Sequence, residues 1–322
     1  MRPVVCFGEA LIDFLNTGSA TEDGLDLGHY VQYPGGAPAN AAVAAARLGA
    51  DAHFAGQVGA DTFGEFLVAA LERYGVGTGF VARHPSARTP LAFVHLDADG
   101  DRSFSFYRHD TADLAIEPAQ VSPAWFQASP VVHLCSNTLT DPHIATVTQR
   151  VIDAARDAAC TISFDVNLRP NLWPRDEVDI ERVNAIVRQA DLVKFSSEEL
   201  DVLCRGHGPA YLHDCIQGGV SAVIVTDGPG PALLKTLAGE SAVPTPPVTA
   251  VNTTGAGDAF IGAVLFGLAR ESNPGDTLAQ HERMAALVEF AAHCGAHSVQ
   301  HHGAFVSFPE FADVAAYWPS SP

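Results

Sequence analysis

Asn252-Thr253-Thr254-Gly255-Ala256-Gly257-Asp258-Ala259-Phe260 is the stretch whose reading decides the fold. A β-rich segment, residues 247–251, runs into two threonines and a turn of small residues, and a helix is expected to open at Asp258 and run to about Arg270. Apolar residues (Ala259, Phe260, Ile261, Ala263, Val264, Leu265, Phe266, Leu268) surround that helix on nearly every side, so it belongs inside the protein. Its N-terminus then points unpaired N–H groups and the positive end of the helix dipole at whatever lies ahead, an arrangement that favours an anion. A carboxylate beside an anion is repulsive unless it has work to do. Asp258 therefore reads as a general base next to a phosphate in transfer, or else as a first-turn acid that only complements the dipole.

Outward from this stretch, strands and helices alternate. Strands are expected at residues 4–8, 29–34, 52–58, 131–134, 161–166, 192–195, 222–226, 232–237 and 248–251. Helices are expected at 41–48, 63–74, 142–159, 177–189, from Ser197 onward, after Asp258, and at 284–294, with Ser197 as an N-cap. Such alternation predicts an α/β fold with a mostly parallel sheet and helices on both faces, in which ligands bind beyond the carboxyl ends of the strands. Asp13, Asp61, Asn167, Arg169, Glu199, Thr226, Asp227 and Asp258 all fall at such ends. Two further β runs, 91–96 and 102–107, flank Asp97-Ala98-Asp99-Gly100-Asp101, a hairpin signal. Together with the segment 11–34, in which residues 16–28 read as polar loop, they predict a small sheet standing off the main body as a lid, formed by about 11–34 and 88–112. With no linker or repeat in view, residues 1–322 are expected to form one domain plus that lid.

Composition narrows the function. The chain has 322 residues, 47% of them hydrophobic, and a net charge of −19, which disfavours nucleic acid and anionic membrane as partners. The six cysteines are scattered without a Cys-x-x-Cys pair, so buried free thiols are expected, consistent with a reducing cytoplasm. No signal-peptide core and no transmembrane-length apolar run occur. No Gly-x-x-x-x-Gly-Lys-Ser/Thr run exists, and no Gly-x-Gly-x-x-Gly follows the first strand, so phosphate has to be held some other way if it is held at all, and Gly255-Ala256-Gly257-Asp258 offers one.

Other residues carry two readings each. Gly35 and Gly36 followed by Asn40 form a turn and cap, or a place where a ligand approaches bare backbone while Asn40 offers both donor and acceptor to sugar hydroxyls. Asp13 is a solvated loop acid, or an acceptor for two neighbouring hydroxyls. Arg169 makes a surface ion pair or contacts phosphate. Glu198 and Glu199 complement a helix dipole or bind magnesium through water.

With these residues in place the chain resembles, over its whole length, sugar kinases of the ribokinase (PfkB) family. Gly35-Gly36 with Asn40 is similar to the family's N-terminal signature, and residues 252–260 are similar to its C-terminal signature. The resemblance implies a ribokinase-like fold, Asp258 as catalytic base, and Gly255, Ala256 and Gly257 as the anion hole with Arg169 beside it. It implies Asp13, Gly35, Gly36, Asn40, Phe106, Arg108 and Asn167 at the sugar, Thr226, Gly228, Gly257 and His293 at the nucleotide, and Glu199 linked to Mg2+. Within the family, Cys6-Phe7-Gly8-Glu9-Ala10-Leu11-Ile12-Asp13, Ala37-Pro38-Ala39-Asn40, and Phe106-Tyr107-Arg108 with Thr111-Ala112-Asp113 look most like fructokinases. The implied reaction is ATP-dependent phosphorylation of the 6-hydroxyl of D-fructose. The alternatives are a 2-keto-3-deoxygluconate, nucleoside or aminoimidazole riboside kinase, and a non-catalytic sugar or nucleotide sensor. Two departures stand out. Ser196 takes the place of an asparagine in the Asn-x-x-Glu motif, and Asn252 replaces a common aspartate of the loop that holds K+ in many members, which counts against potassium here. A homodimer through the lid is the partner the resemblance implies.

Overall fold

The computed structural model describes residues 1–96 and 102–319, so the expected turn at 97–101 lies outside the described residues. The strands are β1 (Val4–Phe7), β2 (Leu11–Glu22), β3 (Leu25–Gly35), β4 (Ala52–Gly59), β5 (Gly77–His84), β6 (Leu91–Leu96), β7 (Arg102–Tyr107), β8 (Val131–Cys135), β9 (Thr161–Asp165), β10 (Leu192–Ser196), β11 (Ala222–Thr226), β12 (Ala232–Thr236) and β13 (Gly239–Val243). Nine of them form one sheet in the order β13-β12-β11-β10-β9-β8-β1-β4-β5, and four form a second, smaller sheet in the order β3-β2-β6-β7. In the large sheet β5 to β11 run parallel, and only β12 and β13 join antiparallel.

Successive strand residues face opposite sides, and the two cores divide accordingly. Val4 and Cys6 enter one core and Val5 and Phe7 the other; Leu192 and Ala222 enter the first, Val193 and Val223 the second. The helices Ala37–Arg47, Ala256–Arg270 and His281–Ser298 cover the first face, and Pro142–Asp157 and Ile180–Val187 the second. The helix Ala256–Arg270 is buried from Ala259 to Ala269 because it has helices on two sides as well as the sheet. Its glycines set the spacing: a Cβ at Gly262 would lie 2.4 Å from Ala44 Cβ, and one at Gly267 2.2 Å from a Leu287 methyl.

Several expectations shift. The polar stretch 16–28 is not loop: β2 and β3 form a long hairpin with an irregularity between Asn16 and Gly18. Its outer half is exposed on both faces, so it carries no alternating apolar signal. The edge strand β5, rich in glycine and only half-buried, was invisible for the same reason. The helix Gly208–Gln217 also went unread, and the strand expected at 248–251 is irregular backbone preceded by Pro244, Pro246 and Pro247, which supply no ladder donors. β13 takes its place. The helix expected to open at Asp258 begins two residues earlier, at Ala256. The six cysteines are buried and unpaired. Among the described residues no helix is long and apolar enough to cross a membrane.

Candidate active site

Of the expected strand-end residues, Asn167, Arg169, Glu199, Thr226, Asp227 and Asp258 gather where β9, β10 and β11 finish, and Asp13 joins them from the start of β2. Asp61 follows β4 and is taken up as the N-cap of the helix Thr62–Arg73, accepting from Gly64 N–H and from Thr89. Gly255, at φ 79, turns the chain into the helix from a left-handed conformation that a side chain would oppose, and its Cβ position is 3.0 Å from the Phe308 ring. Ala256 N–H bends back to Thr253 O at 3.3 Å. The N–H groups of Gly257 and Asp258, in the first helical turn, have no intrahelical acceptor. Beside them opens a cavity of about 410 Å3 whose walls include Thr226, Gly228, Thr253, Ala256, Gly257 and Phe260. Its far wall is apolar: Val248, Ala292, Ala296 and Val299. A polar end at a helix N-terminus and an apolar end between strand and helix suit a phosphate chain and a flat base.

On the other side of Asp258 lies the glycine turn. Asn40 Nδ2 donates to Asp258 Oδ2 at 2.7 Å, so the helix Ala37–Arg47 and the helix Ala256–Arg270 meet at this bond. Gly36 sits at φ 103, and a Cβ there would lie 2.5 Å from Glu9 O. A Cβ at Gly35 would lie 2.1 Å from Asp13 Oδ2, so the bare backbone of Gly35 makes room for the Asp13 carboxylate. Three buried amide oxygens here, Asn40 Oδ1, Asn137 Oδ1 and Asn167 Oδ1, have no protein partner. Buried acceptors left open are costly unless a ligand fills them, and donors on a polyhydroxy compound would do so. Asn167 adopts φ 40, and its carbonyl accepts from Ser136 Oγ at 3.3 Å.

Charge in this cleft is unbalanced. Burial pushes the Asp258 carboxyl up to about 6, the nearby Asp165 charge adds to this, and the Asn40 bond, Arg169 and Lys194 pull it back. Burial lifts Asp13 to about 7, with Asp258 and Glu9 contributing repulsion. Each keeps some solvent contact at the cleft mouth, yet surrounding protein removes most of its hydration.

Some side chains stand elsewhere than expected. Arg108 follows β7 but is not part of the second sheet. It is buried in the body, with Nε on Asp113 Oδ2 at 2.5 Å and Nη2 on Asn137 O at 2.9 Å. Asn137 Nδ2 in turn donates to Glu9 Oε1 at 2.8 Å, and Glu9 accepts Ala37 N–H at 3.1 Å. Arg108 thus supports the glycine turn through two intermediaries. Phe106, on β7, is half-buried and pairs across from Ala92. His293 is not a cavity wall: its ring stacks on Tyr317 at 3.5 Å, while Ala292, Gly295, Ala296 and Val299, one helical face, line the cavity. Ser196, rather than Ser197, caps its helix, in a capping box with Glu199. Glu199 also accepts Leu168 N–H at 2.9 Å, tying that helix to the end of β9. Arg169 is exposed at the mouth, its Nη1 on Leu168 O at 2.8 Å. Asn252 Oδ1 accepts Thr254 N–H at 2.8 Å, so a neutral amide occupies the position where an acid is common.

Four buried polar residues were not singled out from the sequence: Glu9, Asn137, Asp165 and Lys194. Within an apolar strand a lone charge gives no pattern of its own. The one available signal was that Glu9, Asn137 and Asp165 lie at or within two residues of a strand's carboxyl end, whereas Lys194 is the middle residue of β10.

A glycine turn and a helix N-terminus meeting at one carboxylate, with a nucleotide-sized cavity on one side and open amide oxygens on the other, define a kinase-like site for a hydroxylated substrate. The comparisons with known proteins agree. Residues 1–310 match the pfkB family carbohydrate kinases, and the chain belongs to that family. Fructokinase-1 of Oryza sativa subsp. japonica is 37% identical over 97% of this chain and 96% of its own. The fructokinase of Xylella fastidiosa with bound ATP superposes at TM-score 0.91, with 38% identity over 98% of this chain and 97% of that one. A double-mutant fructokinase from Vibrio cholerae O395, with fructose, ADP and potassium ion bound, superposes at 0.86, with 30% identity over 99% of both chains.

Proposed function

We propose that this chain transfers the γ-phosphoryl group of ATP to the 6-hydroxyl of D-fructose, giving fructose 6-phosphate and ADP. The observation that carries this is the position of Asp258. It sits at the junction of the glycine turn and the phosphate-facing helix end, bonded to Asn40 on the first and projecting from the first turn of the second. The likeness over nearly the full chain to fructokinases, with ATP or with fructose and ADP bound, supports the choice of both substrates.

In this mechanism Asp13 accepts from two sugar hydroxyls, and the open amide oxygens of Asn40, Asn137 and Asn167 are available to the two that remain beside the attacking one. Asp258 takes the proton of the attacking hydroxyl, which then displaces ADP from the γ-phosphorus. The Gly257 and Asp258 amides hold the transferring oxygens, and Arg169 adds positive charge from the mouth. Such a reaction depends chiefly on positioning and electrostatics. Magnesium on the nucleotide phosphates would neutralise their charge. Glu199, both of whose oxygens already take backbone N–H groups from Ser196 and Leu168, would reach it through water with its remaining lone pairs. The mechanism does not call on potassium.

The second sheet serves as the lid, keeping water from the phosphoryl group. Its exposed Leu25, Leu27, Val31 and Tyr107 support pairing with a second copy.

A panel of sugars and nucleosides with ATP and magnesium tests the substrate. Fructose should show the highest kcat/KM and yield only the 6-phosphate. A nucleoside, aminoimidazole riboside or 2-keto-3-deoxygluconate ahead of fructose would sink the assignment.

The pH profile follows from the raised carboxyls. A base works only when ionised, so its acid limb falls at its folded pKa rather than near the ordinary value of about 4. The kcat/KM for fructose should therefore decline as pH drops through about 7 and then about 6, with a slope that exceeds one proton below the second because both acids must be ionised. A profile that stays flat down to about pH 5 would contradict this.

A further inference from the structure

Lys194 is buried in the middle of β10, its side chain 6% exposed. Alternation along the strand turns Val193 and Phe195 to one core and Lys194 to the other, the face covered by the helix Ala256–Arg270. Its Nζ binds both oxygens of Asp165, on neighbouring β9, at 2.9 and 3.1 Å. It also lies 3.5 Å from where a Cβ of Gly257 would be. The ammonium thus stands directly behind the first turn of the helix whose amides face the cavity.

Burial and the helix end both work against this placement. A helix N-terminus carries roughly half a positive charge, and Lys194 brings a full one against it. A buried ion pair is also no stabiliser compared with packed apolar side chains, and β10 already supplies Val193 and Phe195 for packing. Asp165 in contact, with Glu199 and Asp258 adding their negative charge, offsets the two converging positive potentials and keeps the ammonium charged. The two positive potentials reinforce each other toward a multiply charged anion that arrives in front of Gly257.

We propose that Lys194 is a further positioning residue for phosphoryl transfer, its charge acting from behind the Gly257 turn on the phosphoryl group held by the helix amides, with Asp165 fixing its location. Its effect is largest when negative charge spreads over the equatorial oxygens in the transition state, so it should appear in kcat rather than in KM.

The test is the paired variant K194M/D165N, which removes the charge without leaving a buried ion alone. With the fold confirmed by circular dichroism and thermal melting, KM for fructose and for ATP should stay within about threefold, while kcat falls about tenfold to a hundredfold. A kcat within about threefold of the parent, or a loss confined to KM, would overturn the proposal. Should the paired variant not fold, K194R and K194Q give the same decision. Arginine keeps the charge beside Asp165 and glutamine keeps only a hydrogen bond, so K194R should exceed K194Q in kcat by about tenfold, and equal kcat would refute the role. This role presupposes the transfer site at Gly255 to Asp258, and Asp258→Asn assayed alongside separates the two. If D258N is inactive and K194M/D165N is not, only the Lys194 role fails; if D258N is active, the transfer site itself is wrong.

Discussion

Asp258→Asn is expected to lower kcat by roughly 10²–10⁴, the usual worth of a general base, with KM for fructose nearly unchanged. The substitution is close to isosteric. The new amide oxygen can still accept from Asn40 Nδ2, the bond that joins the two halves of the site, so sugar and nucleotide should continue to bind. What disappears is the capacity to accept the hydroxyl proton as the oxygen attacks. The variant should be slow at every pH, whereas the parent loses activity only as Asp13 and then Asp258 protonate, near pH 7 and pH 6. Steady-state assays with calorimetric fructose binding would show it. Turnover equal to the parent's would remove Asp258 from the mechanism.

Asp13→Ala should act on binding instead. Hydrogen bonds to a charged group contribute about 1.5–3 kcal/mol each, and two of them correspond to a loss of roughly 10²–10⁴ in kcat/KM for fructose. The carboxylate is pressed against the backbone of Gly35, so it is held in place before the sugar arrives, and its removal leaves a gap beside the glycine turn. KM for ATP should hardly move, because the nucleotide cavity lies on the far side of Asp258. Asp13→Asn, with one acceptor oxygen retained, should fall between. If kcat/KM for fructose survives in D13A within about threefold, the sugar is held elsewhere.

The fold was legible from the regular strand–helix alternation and from one helix too apolar for any surface. Both reflect the same physics: a central parallel sheet is buried on both faces, and its strands read as apolar runs. What escaped notice was whatever did not depend on burial. The outer half of the β2–β3 hairpin and the edge strand β5 are held by backbone hydrogen bonds, with few side chains reporting the period. At the site, residues in glycine-rich turns were visible because turn chemistry restricts composition. Glu9, Asn137, Asp165 and Lys194 were not, since their meaning comes from neighbours distant in the chain: Glu9 from Ala37 and Asn137, Lys194 from Asp165 and Gly257. His293 shows the opposite failing. One position on a helix decides which way a side chain points, and the cavity takes residues 292, 295, 296 and 299.

The central claim is that one carboxylate at the buried helix start takes the proton of the fructose 6-hydroxyl beside the phosphate cradle. A crystal structure with fructose and a non-hydrolysable ATP analogue tests it most directly. The 6-hydroxyl should lie about 2.6–3.2 Å from an Asp258 oxygen, with the γ-phosphate against the Gly257 and Asp258 amides. A sugar bound with another hydroxyl at Asp258, or a γ-phosphate away from that helix end, would contradict it.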